Sequence, residues 1–269
     1  MNMFESLKNY LLKLINFYND ELKYVLEVKY QSKEHVDIDK IVFLTLSKIT
    51  KSCRAITILS QGYGEDAAII ARSIFEGLVT LAYILKEDST NRAILFKEYD
   101  TLDYYNRLKG LYEGISKPDI KKAYEKVLEK CDIKIIEKIK KSREDIIKEL
   151  KIKKVKGIKE YNWSFSTMRH LALETGYLYY YKQIYWQVSK ISHSLYSSLE
   201  DFAEHKTNQM IYNDSPSDNW VNESIFLSAD LYLQLLKLIN NYVDLNLNKR
   251  LEDFSKEFNN IAVQLNSSV

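Results

Sequence analysis

Residues 67–85, AAIIARSIFEGLVTLAYIL, form an almost unbroken apolar run in which Arg72 and Glu76 are the only charged residues. A run of this length could form a helix that crosses a membrane or a helix that is buried inside a protein. The two charges lie near its middle, and no second run of this kind occurs in the chain. The sequence therefore predicts a central helix of a bundle, with no membrane contact.

The scarcity of chain-breaking residues favours the same fold class. The 269 residues include only seven Gly and two Pro, whereas sheet-rich folds need many turn residues. Apolar residues recur at helical spacing in four further stretches, 3–30, 38–61, 89–115 and 220–265, and the last is expected to break near residues 246–248. The sequence also predicts a short helix over residues 163–176 and a loop over residues 206–218. We therefore predict an all-α helical bundle that forms a single domain over residues 1–269.

Residues 118–159 have a different character, because Lys and Glu alternate there with Ile, Val and Leu. This pattern predicts a charged helical excursion that is inserted in the domain and projects from the bundle. Its tail, KIKKVKGIK, is the most basic stretch of the chain. A solvated helix face and an RNA-binding surface both explain these charges. The candidate nucleic-acid contacts are Lys151, Lys153, Lys154 and Lys156.

The overall composition excludes several other classes of protein. The net charge is +2, and the two cysteines, Cys53 and Cys131, form no CxxC pair, which favours a reducing, cytoplasmic setting. The N-terminus lacks the basic and small-residue features of a signal peptide. No P-loop, GxGxxG, HExxH or GxSxG motif is present, so the sequence predicts no cofactor and no metal.

A polar stripe occurs in the predicted helix over residues 177–205. Tyr185, Ser189, His193 and Ser197 recur every fourth residue and share one face of that helix. A second face is apolar, and a third carries Gln and Lys. Burying an unpaired hydroxyl or imidazole costs about 1–3 kcal/mol, so the stripe must be paired, wet or in contact with a ligand.

Arg72 and Glu76 are the obvious partners for this stripe. They lie one helical turn apart, and Gly77 beside them would allow another helix to approach closely. We therefore expect the 67–85 helix to pack against the 177–205 helix. The candidate catalytic residues are Arg72, Glu76, Tyr185, Ser189 and His193.

Two stretches of the chain resemble the signatures of a bacterial all-helical family of unknown function. One is ARSIFEGLVTLAYIL, with its R-x3-E spacing, and the other is NWSFSTMRHLALETGYLYYYKQIYWQVSKISHSLYSSLEDF. The resemblance covers roughly residues 40–110 and 160–205 and leaves the excursion outside. The residues that match the second signature are Trp163, Ser164, Tyr185, Ser189, His193 and Ser194.

The chain is also distantly similar to the HEPN superfamily of helical domains, many of which are metal-independent ribonucleases of toxin–antitoxin and phage-defence systems. Their signature is an Arg followed four to six residues later by a His. The residues before His193 are VSKIS, with Lys190 but no Arg. A nuclease of this type would therefore need Arg72 or Lys190 in place of the missing Arg. The resemblance also implies a homodimer.

The sequence is consistent with two functions, one of which is enzymatic and one of which is not. In the first, the protein is an endoribonuclease in which His193 is the general acid or base and Arg72 stabilises phosphate charge. Tyr185 and Ser189 would then orient the phosphate or the imidazole. In the second, it is a non-catalytic module that binds a protein partner or a small ligand, and the polar cluster is a buried structural network.

Overall fold

The computed structural model describes residues 3–31, 37–192, 203–206, 209–212, 215–216 and 219–266. The described chain is built almost entirely of helices, which confirms the predicted all-α helical bundle. It divides into two compact units, one formed by residues 1–86 and 172–269 and the other by residues 87–171.

The first unit contains the helices from both ends of the chain. They are α1 (Met3–Phe17), a π-helical turn (Tyr18–Leu22), α2 (Lys23–Gln31), α3 (Asp37–Leu59), α4 (Gly64–Lys86), α9 (Leu178–Tyr180), a second π-helical turn (Tyr181–Tyr185), α10 (Trp186–Ser192), α11 (Val221–Val243) and α12 (Asn248–Asn266). The second unit contains α5 (Ser89–Gly114), α6 (Pro118–Leu128) and α7 (Ile133–Ile152), and the division falls inside α8 (Met168–Glu174).

Helix α4 lies in the core of the first unit, where it packs against α3, α10 and α11. Among the described residues it is the one helix with the length and composition of a membrane span, at a mean hydropathy of 1.7. Most of its apolar residues are instead buried against neighbouring helices, as the sequence predicts. A Cβ on Gly77 would lie 3.2 Å from Cδ1 of Ile49, so the glycine does admit α3 at close range.

The break between α11 and α12 has a local cause. Asp244 and Asn246 adopt left-handed backbone conformations, with φ of 53° and 55°, which a continuous helix cannot contain. The Asn240 side chain then joins the two helices, because its Nδ2 donates to Oδ1 of Asn248 at 2.7 Å and its Oδ1 accepts from the Leu247 amide at 3.0 Å. This agrees with the interruption expected near residues 246–248.

The prediction of one continuous helix over residues 177–205 is wrong. The chain forms the short α9, a π-helical turn and α10, and Ala203–Lys206 is a strand paired antiparallel with Gln209–Tyr212. A single π-helical turn is rare and has no composition of its own, so a search for α-helical periodicity does not reveal it. Likewise, a four-residue strand is too short for a period-two pattern to stand out. The Gln209–Tyr212 strand also lies where the sequence predicts only a loop.

The predicted helix over residues 163–176 is shorter than expected, because α8 begins at Met168. Phe165 has a φ of 55°, in the left-handed region, so a helix cannot run through it. The segment before α8 instead forms a compact turn in which Lys159 N donates to Phe165 O at 2.9 Å and Phe165 N donates to Asn162 O at 3.2 Å.

The second unit contains the whole charged excursion together with α5. Its main buried cation is Arg143, which is 5% exposed and lies 4.4 Å above the ring of Phe165. The Nη2 of Arg143 donates to the carbonyls of Glu160 and Asn162 at 3.0 and 2.8 Å. Arg143 therefore fixes the turn that follows α7.

Gly64, at the start of α4, provides a test of the packing in the first unit. A Cβ at this position would lie 1.8 Å from the carbonyl oxygen of Asn219 and 2.6 Å from the amide nitrogen of Val221. Because both are backbone atoms, Gly64→Ala should destabilise the protein by about 1–3 kcal/mol, the usual cost of overpacking. Thermal melting would measure this loss.

Gly110→Ala is the matched control, since nothing lies within 4 Å of a Cβ at that position on α5. Alanine there should be neutral or stabilising by roughly 0.5–1 kcal/mol through helix propensity. An unchanged melting temperature for Gly64→Ala would show that the start of α4 does not pack against the backbone of residues 219–221 as described.

Candidate functional site

The charged pair on α4 forms the base of the candidate site. Arg72 Nε donates to Oε1 of Glu76 at 3.0 Å, one helical turn away. The Arg72 side chain is 18% exposed and that of Glu76 is 37% exposed, so the pair lies at the edge of the core. Such a position leaves Arg72 partly desolvated, and its charge has to be compensated locally.

Tyr185 supplies the second contact to Arg72 from a distant part of the chain. Nη2 of Arg72 donates to the Tyr185 hydroxyl at 3.1 Å, and the guanidinium carbon lies 4.7 Å from the centre of the Tyr185 ring. The ring also stacks on Tyr181 at 4.9 Å and packs on Phe75 at 5.4 Å. Arg72, Glu76 and Tyr185 are therefore brought together, as the sequence predicts.

The pKa shifts of the site follow from this arrangement. Burial lowers the pKa of Arg72, but the Tyr185 hydroxyl and Glu76 outweigh it and raise the pKa above its ordinary value. Burial raises the pKa of Tyr185, and the nearby Glu76 raises it further, against the opposing effect of Arg72. At neutral pH the site therefore holds a guanidinium cation beside a protonated phenol.

Ser189 lies one turn after Tyr185 on α10. Its hydroxyl donates to the backbone carbonyl of Tyr185 at 2.6 Å, a bond within the same helical segment. His193, together with Ser194 and Ser197, lies outside the described residues. In the sequence, His193 follows directly on Ser192, the last residue of α10.

A small recess adjoins the site. It is lined on α4 by Ala68 and Ala71, which precede Arg72, and on α10 by Val188; Trp220, Glu223, Ser224 and Leu227 complete it. Its volume is about 10 Å³, close to the space that one water molecule needs. The part of its wall that is open to the recess is entirely apolar, so no polar group of these residues faces it.

The four lysines predicted to contact nucleic acid lie at the C-terminal end of α7 and in the turn after it, within the second unit. Lys151 pairs with Glu160 at 2.7 Å, and Lys153 pairs with Glu149 at 3.8 Å. All four side chains are exposed. Trp163, which matches the family signature, packs edge-on against Phe96 at 5.1 Å in the same unit.

Asp230, a carboxylate on the apolar helix α11, is a further residue of the site that is not among those predicted from the sequence. Its Oδ2 accepts from the Tyr180 hydroxyl at 2.6 Å, and its Oδ1 accepts from Nε2 of Gln234 at 3.1 Å. The hydrogen bond from Tyr180 joins the segment that carries Tyr185 to α11, so Asp230 helps to position Tyr185 in the site. The signal was an acid inside an apolar run, the same signal that revealed Arg72.

The described residues contain no group of three His, Cys, Asp or Glu side chains that could hold a metal ion. His170 is an exposed residue of α8. Both cysteines are free thiols, and Cys53 is buried, which raises its pKa.

The tyrosines near Asp230 predict how stability depends on pH. Burial, reinforced by Asp230, raises the pKa of Tyr177 to about 12, and burial with the Asp230 hydrogen bond also raises that of Tyr180. The tyrosines of the unfolded chain ionise at about pH 10. The contribution of these tyrosines to the free energy of unfolding should therefore be constant below that pH and should decrease as the pH rises toward 12. Denaturant unfolding at pH 8 to 12 would measure this fall.

The variant Tyr180→Phe should lower stability at neutral pH by about 1 kcal/mol and make the alkaline fall shallower, since one buried phenol no longer titrates. Tyr179→Phe is the matched control, because Tyr179 is 67% exposed, and it should leave the profile unchanged. A wild-type stability that stays constant to pH 12 would contradict the burial of these phenols.

Comparison with known proteins gives a family but no activity. A profile described as "Family of unknown function (DUF5677)" matches residues 39–211, which include the Arg72–Glu76 pair and the segment from Tyr185 to His193. The matched range also runs across the charged excursion, which the resemblance seen in the sequence leaves out. No curated protein and no solved structure matches the chain significantly. With well over half of its residues inside the match, the chain belongs to the DUF5677 family.

Proposed function

We propose that this protein is a metal-independent, HEPN-like endoribonuclease of the cytoplasm that acts in phage defence or as a toxin. Its substrate is RNA, and its reactive pair is Arg72 with His193. The homodimer that the HEPN resemblance implies is part of the same proposal.

The observation that supports this function best is the contact between Arg72 and Tyr185, two residues 113 positions apart in the chain. A guanidinium is a planar donor that suits phosphate oxygens, and its partial burial strengthens its attraction for an anion. The phenol remains protonated and can donate a second hydrogen bond to the same phosphate.

In the proposed reaction, His193 accepts the proton of the RNA 2′-hydroxyl, since imidazole titrates near neutral pH. The 2′-oxygen attacks the adjacent phosphorus, and the bond from phosphorus to the 5′-oxygen breaks. The products are a 2′,3′-cyclic phosphate and a 5′-hydroxyl, whose oxygen takes up a proton. Arg72 stabilises the negative charge on the phosphate oxygens as the attack proceeds.

The other predicted residues have supporting roles in this proposal. Tyr185 and Ser189 orient the phosphate or the imidazole. Glu76 holds the Arg72 side chain in place through the 3.0 Å ion pair.

A second candidate function, a non-catalytic interaction or ligand-binding module, is favoured by a different observation. Glu76 already neutralises Arg72, and the Ser189 hydroxyl is bonded to its own helix. A compensated pair of this kind can serve as a structural network that fixes how α4 and α10 pack. A phosphate would then have to compete with Glu76 for the guanidinium.

The two candidates predict opposite results for total RNA from bacteria expressing the wild type, His193→Ala or Arg72→Ala. For a nuclease, the wild type arrests growth and cleaves RNA, and each variant lowers the cleavage rate by about 10²–10⁴-fold while still folding. Cleavage by the purified wild type should persist in excess EDTA, since the 2′-hydroxyl is the nucleophile. Gel analysis of RNA and thermal melting of each protein would check these outcomes.

Two control variants test whether the effect is specific. His170→Ala removes an exposed histidine, and Arg107→Ala removes an arginine that is 77% exposed; both should cleave RNA at the wild-type rate. Absence of cleavage by the wild type, with a large loss of melting temperature in Arg72→Ala, would overturn the nuclease and favour the structural network.

A further inference from the structure

Three lysines form a line along the outer face of α7 in the second unit. At 100° per residue, Lys134, Lys138 and Lys141 project within about 60° of one another, over roughly 10 Å of helix. All three are exposed. The opposite face of the helix is the buried one, with Ile136, Ile139 and Arg143.

The charges of this lysine line are not neutralised within the protein. Every residue of the second unit is described, and Lys134, Lys138 and Lys141 form no ion pair there. Glu137 and Glu144 lie to one side of the line and do not pair with it.

The line continues toward the turn after α7. Lys148 lies farther along the same face but pairs with Asp145 at 3.2 Å. Beyond the helix end, Lys154 and Lys156 are exposed and form no ion pair within the unit. They differ in this from Lys151 and Lys153, whose partners are Glu160 and Glu149.

The second unit as a whole is basic. Residues 87–171 contain 21 Lys and Arg against 15 Asp and Glu, a net charge of +6, whereas the whole chain carries +2. The other unit is therefore net negative, and the positive potential of the protein is concentrated where the lysine line lies. Such a field attracts a polyanion from a distance.

We infer that Lys134, Lys138 and Lys141, with Lys154 and Lys156, bind the phosphate backbone of RNA. The choice of RNA rests on the proposed function. The rise between successive lysines of the line, about 4.5–6 Å, is one to two times the spacing of about 3.4 Å per phosphate along a nucleic-acid strand. The line itself contains no apolar side chain, but Ile135, Ile152 and Val155 are exposed beside these lysines. Binding to an anionic membrane is therefore one of the outcomes that the test distinguishes.

The test is the binding of a fluorescent 20-nucleotide single-stranded RNA by the full chain, with His193→Ala present in every protein to prevent cleavage. Lys134→Glu, Lys138→Glu and Lys141→Glu together should weaken binding at least about tenfold. They should also reduce the slope of log affinity against log salt by roughly 2, the value expected for three lost phosphate contacts.

A matched control makes the same change of charge in the first unit. Lys40, Lys48 and Lys51 are exposed residues of α3 that form no ion pair with any described residue, and their reversal to Glu should alter binding less than twofold. Equal losses in the two triple variants would mean that net charge alone matters and would overturn the inference. Undiminished binding in the α7 variant, or wild-type binding to anionic vesicles but not to RNA, would also overturn it.

This outcome can be separated from that of the proposed function. If the wild type binds RNA through the α7 lysines but does not cleave it, the surface assignment stands and the nuclease is wrong. If RNA is cleaved at the same rate by the wild type and by the α7 variant without His193→Ala, the nuclease stands and the surface assignment is wrong.

Discussion

Arg72 is a permanent cation at the edge of the core of the first unit, and its desolvation has to be offset by groups that the fold brings to it. The apolar composition of α4 forces that helix into contact with α3, α10 and α11. An arginine on such a helix cannot keep a full shell of water. Removing the partner of a fully buried charge costs about 3–5 kcal/mol, and a large part of that cost applies to Arg72, so its neighbours are tightly constrained.

Glu76 and Tyr185 meet this constraint in different ways. Glu76 lies on the same helix and forms its ion pair through local geometry alone, as residues four apart do. Tyr185 has to be delivered from another part of the chain, and the π-helical turn that ends with it places the phenol beside the guanidinium. The bond between Tyr180 and Asp230 holds the start of that segment on α11. The geometry of the site therefore depends on three helices.

Much of this arrangement could be predicted from the sequence. Apolar periodicity and the scarcity of glycine indicate the helices, and the isolated charges on α4 indicate that Arg72 needs partners. The contact between Arg72 and Tyr185 is predictable because a buried arginine needs a partner and the polar stripe of the 177–205 segment needs one too. The free-energy cost of burying an unpaired charge or hydroxyl is large enough to exclude arrangements in which these groups have no partner.

Other features left no readable signal. The π-helical turn and the strand at Ala203–Lys206, which pairs with Gln209–Tyr212, are local departures from helical periodicity. The ion pair between Lys151 and Glu160 depends on the path of the turn after α7, which Arg143 fixes through backbone carbonyls. A lysine with a partner and a lysine without one look the same in a sequence.

The coupling between Arg72 and Tyr185 tests this account most directly. A double-mutant cycle with Arg72→Met, Tyr185→Phe and the double variant would give the interaction free energy from denaturant unfolding. Residues in direct contact couple by about 0.5–3 kcal/mol, and the account predicts a favourable value in the upper half of that range because the contact is partly buried. A coupling of zero within error would contradict it, since the two side chains would then not share the site.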